Sequence, residues 1–217
     1  MRKGYKAVWE AGTGEITEKK SRFIADIRPV ETEEDILAFQ EEIKKKYWDA
    51  KHHCFAYILG VDQPVMRLSD DGEPSQTAGR PILDVLLGEG LYNVCAIVTR
   101  YFGGTLLGTG GLVRAYSQAV KEGLSHTGII EKQPGQKWKI TIHYTELGKM
   151  QYLTGQRQIP VLATEYGEQV ELTLLLPDEK TEEFLNTLTE VTKGKGRAEK
   201  IGELYYARYK KELLLLP

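Results

Sequence analysis

A long apolar strand that runs directly into a glycine-rich segment constrains this chain more than any other feature. Residues 93–102 (NVCAIVTRYF) are apolar at most positions, as in a strand that is buried on both faces of a sheet. Residues 103–111 (GGTLLGTGG) then contain five glycines. From residue 112 to about 125, apolar side chains recur at helical spacing. This order predicts a core strand, a tight turn and a helix.

The glycine-rich turn is the first candidate site. Glycine lets the backbone approach a ligand closely, and the first amides of the following helix have no intrahelical partner and favour an anion. Two guanidinium groups flank the turn and can supply charge-assisted hydrogen bonds. The alternative is a tight crossover that only packs against the core. The candidate phosphate-binding residues are Arg100, Gly103, Gly104, Gly108, Gly110, Gly111 and Arg114.

The second candidate is the polar loop at residues 69–80 (SDDGEPSQTAGR), in which acidic side chains cluster. It is interpreted as a recognition loop, or as a cation site that faces the glycine turn. The alternative is an Asx turn at the DDG triplet with solvated acids. The candidate residues of this loop are Asp70, Asp71, Glu73, Thr77 and Arg80.

Two shorter polar clusters precede strands. Lys20 and Arg22 stand before the first long strand, either as phosphate contacts or as solvated surface. His52 and His53 precede Cys54, but adjacent strand residues point to opposite faces, so His53 and Cys54 are not expected to pair. No catalytic residue is predicted.

The composition changes near residues 132–135 (KQPG), which indicates a linker between domains 1–133 and 134–217. The second domain reads as strand, helix, strand, strand, helix, strand, the ferredoxin-like βαββαβ order. Its open sheet face lacks the stacking aromatics of an RNA-recognition motif. A modest basic face that contacts phosphates is one interpretation, and a solvated sheet face is the other. The basic positions are Lys137, Lys139, Arg208 and Lys210.

The amino-acid composition is that of an ordinary globular chain, with 217 residues and a formal net charge of −2. This charge predicts no global attraction to nucleic acid or to an acidic membrane, so such a partner needs a local patch. Two cysteines in apolar runs favour a reducing, cytoplasmic location, and no apolar run approaches about 18 residues. No Walker A, zinc or nucleophile-elbow motif is present, and no metal or cofactor is predicted.

Three segments resemble the IMPACT/YigZ family: residues 19–25 (KKSRFIA), the DDGEPS-x-TAGRPIL stretch, and the strand, glycine turn and helix start at residues 93–116. The resemblance covers residues 20 to 120, and bacterial members are similar over the full length. Gln76 stands where a small residue is frequent in the family.

The resemblance implies an α+β protein. Its first domain is expected to have the left-handed βαβ fold of a ribosomal protein's second domain and of elongation factor G domain IV. Its second domain is expected to be ferredoxin-like, similar to domain V of that factor. The resemblance also implies a role in translation, since eukaryotic relatives act through protein partners on a translation-control kinase pathway. It supplies no catalytic residues.

The first functional hypothesis is therefore a non-catalytic protein that contacts RNA, the ribosome or a protein partner. The second is an enzyme that acts on a small phosphorylated ligand at the glycine turn, since small-molecule kinases also use this fold. The third is a pure protein-interaction module. A deep pocket favours the second hypothesis, a shallow basic surface the first, and an exposed apolar patch the third.

Overall fold

The computed structural model describes residues 2–216 and has an α+β architecture. The chain divides into two compact units, one formed by residues 5–131 and the other by residues 2–4 and 132–216. Within the described residues, no helix is long and apolar enough to cross a membrane.

The first unit is built on a sheet in which every neighbouring pair of strands is antiparallel. The sheet order is β2-β3-β6-β4-β5, and β1 precedes it in the chain. The strands are β1 (Tyr5–Glu10), β2 (Gly12–Glu18), β3 (Ser21–Pro29), β4 (His52–Leu59), β5 (Val65–Ser69) and β6 (Val94–Tyr101).

Three helices cover the two faces of this sheet: α1 (Glu33–Lys46), α2 (Gly79–Gly88) and α3 (Thr109–Ser125). Helix α1 packs against one face, where it forms a core with side chains of β4 and β6. Helices α2 and α3 pack against the other face and form the larger core. Strand β6 is thus buried from Val94 to Arg100, as its uninterrupted apolar sequence predicts.

The middle of the sheet contains a split βαβ unit. Strands β3 and β4 both lie antiparallel to β6, which separates them, and α1 connects them. The N-cap of α1 forms a reciprocal capping box, in which Asp35 N donates to Thr32 Oγ1 and Thr32 N donates to Asp35 Oδ2.

The second unit has the predicted ferredoxin-like topology, with β10-β7-β9-β8 as neighbouring antiparallel strands and an added edge strand, β11. Apolar side chains of β7 and β9 form its core with both helices. The elements are β7 (Gly128–Ile142), α4 (Leu147–Gln156), β8 (Val161–Tyr166), β9 (Val170–Pro177), α5 (Thr181–Val191), β10 (Arg197–Tyr209) and β11 (Glu212–Leu216).

The fold differs from the sequence-based expectations in three places. Strands β1, β2 and β11 were not predicted. Residues 132–135 lie inside β7 and not in a linker loop. Helix α3 begins at Thr109, three residues before the position that the apolar spacing indicates.

Candidate functional site

The glycine turn (residues 103–111) packs against the β2–β3 hairpin. A two-residue loop joins these strands, with Lys19 at φ 44° and Lys20 at φ 67°. Gly103 N donates to Ser21 Oγ at 3.1 Å. A β-carbon at Gly103 would lie 2.0 Å from the carbonyl carbon of Lys20, so only glycine allows this contact. The predicted segments 19–25 and 103–111 therefore meet in space.

The other end of the turn forms the start of α3. Gly108 precedes the helix with φ 73°, a conformation that favours glycine, and accepts a hydrogen bond from Leu112 N. No side chain caps the helix, and its first turn carries no acidic residue. The amides of Thr109, Gly110 and Gly111 thus lack intrahelical acceptors, as expected for a helix N-terminus.

A groove of about 450 Å³ runs along α3 from Gly111 to Lys121 and past the end of β2. Its cationic side chains are Lys19, Arg114 and Lys121, and Glu18 is its one acid; we call it the basic groove. Arg114 bends toward the helix start, since a β-carbon at Gly110 would lie 3.7 Å from its Nη1.

Lys19, Arg114 and Lys121 are exposed, and within residues 2–216 no carboxylate pairs with them. Sequence reasoning missed Lys19 and Lys121. Arg114 and Lys121 are seven residues apart, a spacing that places both on one face of a helix. Their positions are about 10.5 Å apart along the helix axis.

Arg100 does not contribute a free positive charge to the turn, in contrast to the expectation. Its Nη1 donates to Glu73 Oε1 at 2.6 Å, and the side chains of Arg100 and Glu73 are 7% and 4% exposed. Its guanidinium carbon lies 5.3 Å from the ring centre of Phe23 and 5.6 Å from that of Phe102. Arg100 is therefore held in a buried ion pair.

The same carboxylate extends the buried network. Tyr116 Oη donates to Glu73 Oε1 at 2.8 Å, and Cys54 Sγ lies 3.3 Å from that hydroxyl. The Cys54 thiol also donates to the carbonyl oxygen of Asp70 at 3.0 Å. Burial raises the pKa of Cys54 to about 12 and also raises the pKa of Tyr116. The thiol is thus protonated near neutral pH, unlike an activated nucleophile.

The acidic loop at residues 69–80 is organised by its own carboxylates. Asp70 Oδ1 accepts the amides of Ala78 (3.0 Å) and Gly79 (2.9 Å), and its Oδ2 accepts the amide of Gln76 (2.8 Å). Gln76 has φ 61°, which explains why a small residue suits this position. Asp70 thus holds the loop against the start of α2.

The remaining residues of this loop also have partners within the unit. Asp71 Oδ2 accepts the amide of His53 at 2.6 Å, and its carbonyl oxygen lies 2.8 Å from His52 Nδ1. Buried Thr77 donates its hydroxyl to Pro74 O at 2.6 Å, and exposed Arg80 pairs with Asp84 on α2 at 2.8 Å. Within residues 2–216, no group of three or more His, Cys, Asp or Glu side chains has a geometry that holds a metal ion.

The two residues predicted beside the first long strand have different surroundings. Lys20 is exposed, in the hairpin loop that contacts Gly103. Arg22 forms a bidentate pair with Glu15, at 2.7 and 2.9 Å, and its guanidinium lies over the Tyr101 ring. Lys20 therefore carries an exposed charge next to the glycine turn, whereas the charge of Arg22 is paired with Glu15.

The four basic residues of the second unit do not form one patch. Lys139 Nζ lies 2.7 Å from Glu171, and this hydrogen bond raises the pKa of Lys139. Lys137 pairs in register with Gly202 of β10. Arg208 is six residues farther along that strand, about 20 Å away, and Lys210 follows it in the β10–β11 turn. The open sheet face therefore has mixed charge.

Comparisons with known proteins identify both units. Residues 19–124 match the Impact N-terminal domain, and residues 140–195 match a domain of unknown function, DUF1949. The crystal structure of a hypothetical protein aligns with 93% of this chain and 99% of its own, with a TM-score of 0.59 and 34% identity.

The similar curated proteins span both units. The IMPACT family member YvyE of Bacillus subtilis is 42% identical over 95% of this chain and 94% of its own length. The IMPACT family member YigZ of Escherichia coli is 38% identical over 81% and 87%. Protein IMPACT of Oryctolagus cuniculus is 30% identical over 43% of this chain and 30% of its own length. This chain belongs to the IMPACT family.

Proposed function

We propose that the protein is a non-catalytic, translation-associated factor that binds RNA, including RNA within the ribosome, through the basic groove. The observation that carries this proposal is that three exposed, unpaired cations line one groove, which begins beside the uncapped start of α3. Side-chain cations and free backbone amides together suit a phosphodiester backbone.

The charge distribution supports a local rather than a global interaction. The chain as a whole carries a formal net charge of −2, whereas the basic groove has three cations and one acid among its lining side chains. Such a groove attracts phosphates at short range, within about one Debye length of 8–10 Å. The association with translation follows what the family resemblance implies, and two free, buried cysteines suit a reducing cytoplasm.

A second candidate function is binding of a small phosphorylated ligand in the same groove. Its volume of about 450 Å³ falls in the range of about 300–1,000 Å³ that small-molecule sites occupy. Competition against bound RNA separates the two functions. If RNA is the true partner, inorganic pyrophosphate or a nucleotide should leave RNA bound. If a small phosphorylated ligand is the true partner, these compounds should bind in the groove and displace the RNA.

The test uses the full chain and a fluorescent RNA hairpin with a single-stranded loop. Arg114→Ala combined with Lys121→Ala removes two groove cations from an exposed helix face, and we expect RNA affinity to fall about tenfold or more. Arg80→Ala removes an exposed arginine on α2 that is already paired with Asp84, and it serves as the matched control.

Wild type and Arg80→Ala should bind RNA equally. Circular dichroism checks that both variants remain folded. Unchanged affinity in the double variant, or equal losses in the double variant and the control, would contradict the proposal.

A further inference from the structure

A second groove adjoins the basic groove across the glycine turn. It has a volume of about 510 Å³, and Tyr101, Phe102 and Leu106 form its apolar part; we call it the aromatic groove. Leu106 lines the aromatic groove and the next residue, Leu107, lines the basic groove. Because consecutive Cα atoms are about 3.8 Å apart, only one segment of backbone separates the two grooves.

The apolar side chains of the aromatic groove are unusually exposed. Phe102 is 55% exposed and Leu106 is 82% exposed, and Trp48, which directly precedes the lining residue Asp49, is 80% exposed. Water-exposed rings and leucines of this kind gain free energy when a flat apolar ligand covers them.

The buried ion pair lies beside the Phe102 ring. The guanidinium of Arg100 lies over this ring at 5.6 Å from its centre, and Glu73 holds Arg100 at 2.6 Å. One face of the ring therefore lies near a paired cation, while more than half of the side chain remains accessible. A second planar group can stack on the accessible part of the ring.

Polar groups at the edge of the aromatic groove suit a nucleobase better than a phosphate. Asp49 accepts a hydrogen bond from the Tyr101 hydroxyl at 2.7 Å, and Lys51 and His52 complete this edge. With Arg100 neutralised by Glu73, the charges of Asp49 and Lys51 offset each other. The surface thus offers hydrogen-bond donors and an acceptor without a net attraction for anions.

We propose that the aromatic groove takes an unpaired base of single-stranded RNA, stacked on Phe102, while the adjoining phosphates lie in the basic groove. The inference rests on the proposed function and specifies its substrate class: an unpaired base between phosphates, which a duplex cannot present. A cationic groove beside an aromatic platform is the arrangement that single-strand binding requires.

The experiment measures affinity of the full chain for three RNAs of equal length: a single strand, the same strand annealed to its complement, and a strand with abasic sites. Wild type should bind the single strand about tenfold more tightly than the duplex or the abasic strand. Phe102→Ala should lower single-strand affinity to the duplex level without changing affinity for the abasic strand. Phe102→Tyr keeps a stacking ring and should restore single-strand affinity.

The outcomes separate this inference from the proposed function. If wild type binds all three RNAs equally, or if Phe102→Ala leaves single-strand affinity unchanged, the stacking site is refuted while phosphate binding stands. If no RNA binds wild type, both proposals fail. Loss of a protein partner in Phe102→Ala, with unchanged RNA affinity, would reassign the aromatic groove to protein binding and refute the stacking site.

Discussion

At the scale of single residues, the ion pair between Arg100 and Glu73 changes the interpretation of both as ligand-binding residues. Both residues were predicted to serve a ligand, one at the glycine turn and one in the acidic loop. They are 27 positions apart and neutralise each other in a buried site. Local spacing cannot predict such a pair, because it forms only when the loop folds over the end of β6. The Asx-turn alternative does not describe the role of Asp70 either, because its carboxylate accepts the amides of Gln76, Ala78 and Gly79, six to nine residues ahead.

The buried pair predicts a large stability difference between two carboxylate variants. Glu73→Gln leaves the Arg100 charge buried without a counter-charge, and we expect the free energy of unfolding to fall by about 3–5 kcal/mol. Asp84→Asn breaks an exposed pair with Arg80 and should cost less than about 1 kcal/mol. Urea denaturation of the full chain measures both values. Equal urea midpoints of unfolding for the two variants would show that the ion pair between Arg100 and Glu73 does not hold the acidic loop.

At the scale of elements, local rules predict the helices and the central strand well. Helix α1 carries three local signals, namely apolar spacing, an N-cap at Thr32 and lysines in its last turn, and the apolar run predicts β6. Strand β2 was missed because Ile16 is its one apolar side chain besides glycine, and its pairing with β3 forms only in the folded sheet. Strand β1 was also missed, and it pairs with β7, which lies more than 100 residues farther along the chain. The linker at residues 132–135 was predicted from composition, but pairing with β9 and β10 keeps this segment in β7.

The strand–turn–helix connection predicts opposite effects for two glycine substitutions. Gly103→Ala places a β-carbon 2.0 Å from the Lys20 backbone and should destabilise the first unit by about 1–3 kcal/mol or more. Gly110→Ala sits in the first turn of α3, where the nearest atom is Arg114 Nη1 at 3.7 Å. It should be neutral or stabilise by up to about 1 kcal/mol.

Thermal and urea unfolding compare these two variants directly. A Gly103→Ala protein as stable as Gly110→Ala would mean that the hairpin loop at Lys19 and Lys20 does not pack against the glycine turn as described.

At the scale of the whole molecule, the topology of both units follows the sequence-based expectation, but the surface charge does not. The predicted basic face of the second unit has carboxylates beside its lysines, since Lys139 pairs with Glu171 and lies opposite Glu199. The three cations of the basic groove lie instead on the first unit. Two of them, Lys19 and Lys121, were missed because they are far apart in the sequence, and only the packing of α3 on β2 and β3 brings them to one groove.

The central claim is that the basic groove holds RNA phosphates, and the salt dependence of binding tests it most directly. Affinity of the full chain for the RNA hairpin is measured from about 50 to 200 mM salt for wild type and for Arg114→Ala combined with Lys121→Ala. If each side chain neutralises one phosphate, the slope of log affinity against log salt should become shallower by about 1.5 in the double variant. An identical slope for both proteins, or salt-independent binding by wild type, would contradict the account.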